Sequence, residues 1–101
     1  MTTYNKLVRD KVPQILDEKQ VRYEQHIADP DEYKTALIKK LQEEVLEFAE
    51  EASMHELADV AEVLEALKQL PEYAHTELMR IKKRDERGGF DGRIILKGEK
   101  D

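Results

Sequence analysis

The chain of 101 residues carries 23 acidic and 17 basic side chains, has a formal net charge of −6, and contains no cysteine. This length fits a single domain spanning residues 1–101, and the lack of cysteine excludes disulfides and thiolate metal sites. Nothing in the chain resembles a signal peptide or the roughly 20 consecutive apolar residues of a membrane span, so we expect a cytoplasmic protein without membrane contact.

A first helix is predicted over residues 10–19. Asp10 is the candidate N-cap, and Pro13 is compatible with the first helical turn. Ile15 and Leu16 are expected to point inward, because they are the large apolar residues of this short segment.

Two further segments have the pattern of short strands. Residues 21–28 partly alternate between apolar and polar side chains, and residues 92–97 form a short apolar run that follows a glycine pair. Both patterns are typical of strands, and the two segments are predicted to pair with each other.

Two consecutive helices are predicted in the middle of the chain. Asp29 is the candidate N-cap of the first, with Pro30 at the first helical position, and this helix ends near Ala52. Ser53 begins a second capping pattern, which predicts a new helix reaching Leu70.

Another helix is predicted from Pro71 to Arg87, where the pair Gly88–Gly89 ends it, and residues 98–101 are expected to be frayed. The predicted fold is therefore mainly all-α, an antiparallel bundle of about four helices with room for a small two-stranded β element. We expect the aromatic side chains to pack in the core rather than to stack on a ligand. This expectation concerns four of the six aromatic residues, Tyr4, Tyr23, Tyr33 and Phe90.

Charge is distributed unevenly along the chain. Residues 12–79 carry 6 basic and 17 acidic side chains, whereas residues 1–11 carry 3 basic and 1 acidic, and residues 80–101 carry 8 basic and 5 acidic. The acidic middle argues against a nucleic-acid partner and suits a cation, while the basic ends suit phosphate. A solvated acidic bundle with basic ends explains the same distribution without a ligand.

The helix that begins at Ser53 carries two acidic residues within its apolar stripe. At 100° per residue, Glu56 lies on the same side as Val60, and Asp59 lies about 60° from Glu56. A buried carboxylate must become protonated, pair with a base or bind a metal. Glu56 can also be explained as the capping-box partner of Ser53, whereas Asp59 has no such structural explanation. Glu62 is expected at the surface.

The preceding helix has a column of acidic residues beside its own apolar stripe. Glu44, Glu47 and Glu51 follow one another at spacings of three and four, and Lys40 lies on the same edge. If the two helices are antiparallel neighbours, Glu44 and Glu47 face the acidic pair of the next helix, whereas Glu51 is expected in solvent. Four converging carboxylates suit a hard divalent cation such as Mg²⁺, and the scattered histidines do not suit zinc.

These residues resemble a known family. The Glu-x-x-Glu pair within residues 40–47, followed by the Glu-x-x-Asp of residues 56–59, is similar to the signature of the MazG-like all-α nucleoside triphosphate pyrophosphatases. The opening residues 4–13 and the closing residues 83–90 resemble a short branch often described as phosphoribosyl-ATP pyrophosphohydrolase-like. The resemblance extends over nearly the whole chain.

The spacing of the two acidic pairs departs from that family. Eight residues separate Glu47 from Glu56, whereas the family commonly has a longer insert. The two helices must therefore turn tightly, or continue as one bent helix. In the second case the acidic cluster would need a second subunit to complete it.

The resemblance implies an activity and a set of site residues. Glu44, Glu47, Glu56 and Asp59 would bind Mg²⁺ or Mn²⁺, and Glu47 or Glu44 would orient or deprotonate the attacking water. A nucleoside triphosphate would be cut into a monophosphate and pyrophosphate, in a housecleaning role, by a homodimer or homotetramer. The candidate phosphate contacts are Lys6, Arg9, Lys11, Lys40, Lys83, Arg84 and Arg87.

Three other hypotheses fit the sequence. A non-enzymatic helical interaction protein predicts that Asp59 is paired with Lys40 or Arg9 and that divalent ions have no effect. A regulatory module would bind nucleotide or metal without turnover. An enzyme specific for phosphoribosyl-ATP would keep the chemistry but act in histidine synthesis, a distinction that depends on pocket shape.

Overall fold

The computed structural model describes residues 5–99, so that Tyr4 and the last two residues of the expected frayed tail lie outside the described part. This part is mainly helical and contains four α-helices, which confirms the predicted fold class. The helices are α1 (Val12–Glu18), α2 (Pro30–Glu51), α3 (Met54–Lys68) and α4 (Thr76–Arg87), with a 3₁₀ turn at Pro71–Tyr73.

Both ends of α2 form as predicted. The Asp29 carboxylate accepts a hydrogen bond from the backbone N–H of Glu32 at 2.8 Å, and Pro30 occupies the first helical position. At the other end Ala52 adopts the left-handed conformation, with φ 49° and ψ 35°, and its N–H donates to the Phe48 carbonyl. The left-handed residue stops the helix and reverses the chain direction.

The connection between α2 and α3 is a tight turn of two residues, Ala52 and Ser53. The Ser53 hydroxyl caps α3 by accepting a hydrogen bond from the Glu56 N–H at 3.2 Å. At the open end of the pair, Lys34 near the start of α2 forms an ion pair with Glu72, which follows α3. The two helices are therefore an antiparallel hairpin within one chain, not one bent helix.

The interior of this helical hairpin is small. Leu37 of α2 and Val63 of α3 are 3% and 8% exposed, and they are the buried apolar residues of the described chain. Val60 and Leu67 are half-buried beside them. All four belong to the apolar stripes that the sequence predicts.

The start of α1 differs from the prediction. The predicted cap Asp10 is wrong, because Lys11 is the N-cap and no side chain caps the helix. Residues 10 and 11 form a turn that the Val12 N–H closes onto the Arg9 carbonyl, so the chain enters the helix one residue later. Ile15 is 44% exposed rather than inward, since α1 buries no residue.

The segment predicted as one helix from Pro71 to Arg87 is divided in two. The 3₁₀ turn ends at Tyr73, and the Thr76 hydroxyl donates a 2.7 Å hydrogen bond to the Tyr73 carbonyl. Such a local bond satisfies the backbone without continuing the helix. Gly88, with φ 82°, ends α4 as predicted.

No strand forms within residues 5–99, so both strand predictions are wrong. A two-stranded ribbon is marginal unless it packs on a core, and the second segment has none: Ile94, Ile95 and Leu96 are 84–93% exposed. Phe90, expected in the core, is 97% exposed for the same reason.

The radius of gyration is 18.1 Å, against about 13 Å for a compact chain of this length.

Candidate metal centre

Three carboxylates meet beside the turn of the helical hairpin. One oxygen each from Glu44, Glu56 and Asp59 lies within 4.8 Å of the other two. Glu44 belongs to α2, while the other two are one turn apart at the start of α3. The tight turn after α2 therefore brings together, within one chain, three of the four predicted metal ligands. We call these three residues the carboxylate cluster.

Two oxygens of the carboxylate cluster have no hydrogen-bond partner. Glu44 is 7% exposed, and both Glu44 Oε2 and Glu56 Oε2 are buried without a hydrogen-bond partner. A buried carboxylate oxygen without a partner is costly, and neighbouring negative charges add to the cost. A hard divalent cation prefers oxygen ligands, so it would bind the unpartnered oxygens and offset the repulsion between the negative charges. Three carboxylates would leave coordination positions of the cation for water and phosphate.

Glu47 lies at the rim of the carboxylate cluster and not within it. The residue is exposed, and its carboxylate falls outside the group of three. The negative charge of Glu44 raises the pKa of Glu47, desolvation adds to the rise, and the charge of Glu56 contributes as well. Its predicted role as a metal ligand stays a prediction, whereas its position suits a proton acceptor at the edge of the site.

Three of the predicted phosphate contacts lie beside the carboxylate cluster, each already facing an acid. The Arg9 guanidinium donates to Asp59 Oδ1 at 2.7 Å, and the Lys40 ammonium lies 3.3 Å from Glu44 Oε1. Lys6 forms a 3.7 Å ion pair with Glu43. The pairing of Asp59 with Arg9 is the contact that the interaction-protein hypothesis predicted.

Glu43 is a residue of the site that sequence reasoning missed. Its outward position on the helix indicated a surface residue, yet it is half-buried and lies within 4.0 Å of both Lys6 and Lys40. Lys40 three residues earlier is a local signal for this contact. The approach of Lys6 has no signal in the sequence, because it depends on the path of the chain before α1.

Within residues 5–99, the remaining candidate phosphate contacts form no ion pair with the carboxylate cluster. Lys11 caps α1. Arg84 forms an ion pair with Asp91 at 3.8 Å, and no ion pair among residues 5–99 joins α4 to the cluster. Lys83, Arg84 and Arg87 all lie on α4.

Two acidic residues behave as expected for surface positions. Glu51 and Glu62 are both exposed, and neither belongs to the carboxylate cluster. The burial of Glu44 therefore sets it apart from most acidic residues of the hairpin.

Comparisons with protein-family models, with curated proteins and with solved structures find no match for this chain. The likeness to the MazG-like pyrophosphatases accordingly stays a prediction from the residues quoted above. In the described part of the chain, no helix has both the length and the apolar character needed to cross a membrane.

Proposed function

We propose that the chain is a Mg²⁺-dependent nucleoside triphosphate pyrophosphohydrolase that acts on canonical or modified nucleotides in the cytoplasm. The observation that carries this proposal is the carboxylate cluster, in which the nine-tenths buried Glu44 has one oxygen without a hydrogen-bond partner and lies beside two further carboxylates. Basic side chains stand directly beside it, as a phosphate-binding site requires. The resemblance to the MazG-like family supports the same reading.

The residues of the site divide into three roles. Glu44, Glu56 and Asp59 would hold the cation, with Mg²⁺ or Mn²⁺ as the ions that prefer oxygen ligands of this kind. When bound, the metal offsets phosphate charge and lowers the pKa of a coordinated water. Glu47 at the rim, or Glu44, accepts the proton of the attacking water. Arg9, Lys40 and Lys6 bind phosphate oxygens.

The reaction is a hydrolysis at the α-phosphorus. The water oxygen forms a bond to the α-phosphorus while the bond to the oxygen bridging the α- and β-phosphates breaks. Pyrophosphate leaves with that oxygen, and the water proton passes to the carboxylate at the rim. No oxidant or second substrate is required.

A homodimer or homotetramer is part of the proposal. The chain exposes 9953 Å² of surface, against about 5,900 Å² for a compact monomer of the same mass. Interfaces of obligate homodimers bury roughly 1,000–2,500 Å² of each partner, so an interface of this kind would cover part of the excess. Assembly also offers a way to bring Lys83, Arg84 and Arg87 of one copy toward the carboxylate cluster of another.

A second candidate function has a specific observation in its favour. Arg9 already pairs with Asp59 at 2.7 Å, so part of the acidic charge is balanced without a metal. In a non-catalytic helical module that binds a protein partner through its exposed apolar residues, this ion pair would have only a structural role. The two candidates differ in whether divalent ions have any effect.

The test is pyrophosphate release from a panel of ribo- and deoxyribonucleoside triphosphates, with phosphoribosyl-ATP included, in Mg²⁺ and in EDTA. The proposal expects a monophosphate and pyrophosphate from at least one nucleotide, in Mg²⁺ alone, with loss of turnover in Asp59→Asn and Glu47→Gln. Glu50→Gln, an exposed acid on α2, is the matched control and should keep full activity. Turnover of phosphoribosyl-ATP alone would narrow the function to that substrate, and no turnover on any nucleotide would favour the interaction module.

A further inference from the structure

Arg9 reaches the carboxylate cluster from a distant part of the sequence. Fifty residues separate it from Asp59, whose Oδ1 accepts its hydrogen bond at 2.7 Å. Lys6 forms an ion pair with Glu43 from the same segment, residues 5–11. Both contacts are ionic, and α1, which follows the segment, buries no residue. Two ionic contacts therefore join the segment to the helical hairpin, and a competing cation would disturb the contact at Asp59.

A divalent cation and Arg9 compete for the charge of one carboxylate. A metal ligated by Asp59 would lie a few ångströms from the guanidinium, where two positive centres repel each other. The Arg9 and Asp59 side chains are 60% and 40% exposed, so their pair adds little net stability and exchanges readily. The Lys40–Glu44 pair is more enclosed, with side chains 21% and 9% exposed, and it joins neighbouring turns of one helix. Of these two pairs, the one between Arg9 and Asp59 would yield more readily to a metal.

Arg9 has a better alternative partner when the metal arrives with a nucleotide. A triphosphate complexed to one divalent cation keeps a net negative charge, and arginine binds phosphate oxygens through paired hydrogen bonds. The free ion offers the guanidinium no such partner. The free ion would therefore leave a displaced Arg9 without a partner, which opposes its binding. The metal–nucleotide complex would offer Arg9 phosphate oxygens in place of Asp59, which compensates for the lost pair.

We propose that Arg9 is a counter-ion gate that makes the carboxylate cluster bind the metal–triphosphate complex in preference to the free ion. Arg9 pairs with Asp59 when no nucleotide is bound and moves to the triphosphate when the complex enters. This inference rests on the proposed function and adds the order of binding to it, since metal and nucleotide enter together.

The test compares Mn²⁺ binding to the full-length wild type, Arg9→Gln and Lys19→Gln by electron paramagnetic resonance at low salt. Lys19 is an exposed lysine at the end of α1, and its replacement removes the same charge, away from the carboxylate cluster. A second titration uses the Mn²⁺ complex of a triphosphate analogue with a methylene group between the α- and β-phosphorus, which the enzyme cannot cut. Circular dichroism confirms that each variant is folded.

The gate predicts effects of opposite sign in the two titrations. Arg9→Gln should bind free Mn²⁺ roughly fivefold more tightly than the wild type, because one opposing charge is removed. The same variant should bind the Mn²⁺–analogue complex about tenfold more weakly, because a charged phosphate contact is lost. Lys19→Gln should stay within about twofold of the wild type in both.

Three outcomes would contradict the gate, and they have different meanings. Equal free Mn²⁺ affinity in the wild type and Arg9→Gln would overturn the gate and leave the proposed metal site standing. Weaker binding of both ligands in Arg9→Gln would mean that Arg9 supports the site structurally. Absence of Mn²⁺ binding in all three proteins, with and without the analogue, would overturn the metal site together with the gate.

Discussion

The helical hairpin and the terminal helices α1 and α4 differ in how they begin and in what they bury. α2 and α3 have side-chain caps at their starts and bury Leu37 and Val63 against each other. Neither α1 nor α4 has a side-chain cap or a buried residue, and Leu78 of α4 is 67% exposed. A helix can form from local sequence signals alone. To bury its apolar side chains it needs a second helix to pack against, and within the described part of one chain only α2 and α3 provide this for each other.

The same comparison separates structure from function inside the hairpin. Glu44 is 7% exposed and Val63 is 8% exposed, so a carboxylate is buried as deeply as the apolar interior. A helical pair selected for stability alone gains nothing from an acid with an unpartnered oxygen in that position. The α2–α3 hairpin therefore contains both the buried apolar residues and the candidate site.

The largest expected effect is on catalysis. Glu56→Gln keeps the shape of the side chain but removes a charge from the carboxylate cluster, and we expect kcat to fall by more than about 100-fold. Glu62→Gln on the same helix is exposed and should change kcat by less than about twofold. Steady-state kinetics with the best substrate of the panel measures both. Equal kcat values for the two variants would mean that the cluster takes no part in the reaction.

The next effect concerns the stability of the hairpin. Leu37→Ala should lower the free energy of unfolding by about 2–5 kcal/mol, because it empties the most buried position of the described chain. Lys39→Ala, at an exposed position of α2, should change it by less than about 0.5 kcal/mol. Urea unfolding at one fixed protein concentration gives both values. A small loss in Leu37→Ala would show that the hairpin interior is not the main source of stability.

A smaller effect is expected in the terminal region, and on association rather than on folding. Ile95 is 93% exposed, and if a second copy covers it, Ile95→Ser should weaken self-association by about tenfold. Lys97→Ser, in the same segment, should leave association unchanged within about twofold. Sedimentation equilibrium measures both dissociation constants. A wild type that stays monomeric at high concentration would remove the basis for the proposed oligomer.

The smallest effect is a gain in stability at the turn of the hairpin. Ala52 adopts φ 49°, where glycine has no side-chain strain, so Ala52→Gly should raise the free energy of unfolding by about 0.5–1 kcal/mol. Ala58→Gly, at an exposed position within α3, should lower it by about 1 kcal/mol. Thermal unfolding followed by circular dichroism ranks the three proteins. Destabilisation by both glycines would mean that the left-handed turn does not hold in solution.

The features that sequence reasoning predicted correctly depend on residues close together in the chain. The caps at Asp29 and Ser53 are local, and the apolar stripes containing Leu37 and Val63 follow from helical periodicity. The carboxylate cluster could be predicted for the same reason, since the tight turn that brings Glu44 to the acids of α3 is encoded locally.

The predictions that failed depend on partners far away in the chain. The strand pattern of residues 92–97 indicated a sheet, but the structure gives the segment no strand to pair with and no core to cover. The contact between Arg9 and Asp59 also spans fifty residues, and the sequence could only name Arg9 and Lys40 as two possible partners of Asp59. Periodicity states which face of a helix is apolar, and it does not state what that face will meet.

The most direct test of the proposed activity is hydrolysis of the nucleotide panel in ¹⁸O-labelled water with Mg²⁺, followed by mass spectrometry of the products. Attack at the α-phosphorus predicts one ¹⁸O atom in the nucleoside monophosphate and none in pyrophosphate, with no product in EDTA. Label in pyrophosphate, or the absence of any nucleoside monophosphate from every nucleotide tested, would contradict the proposal.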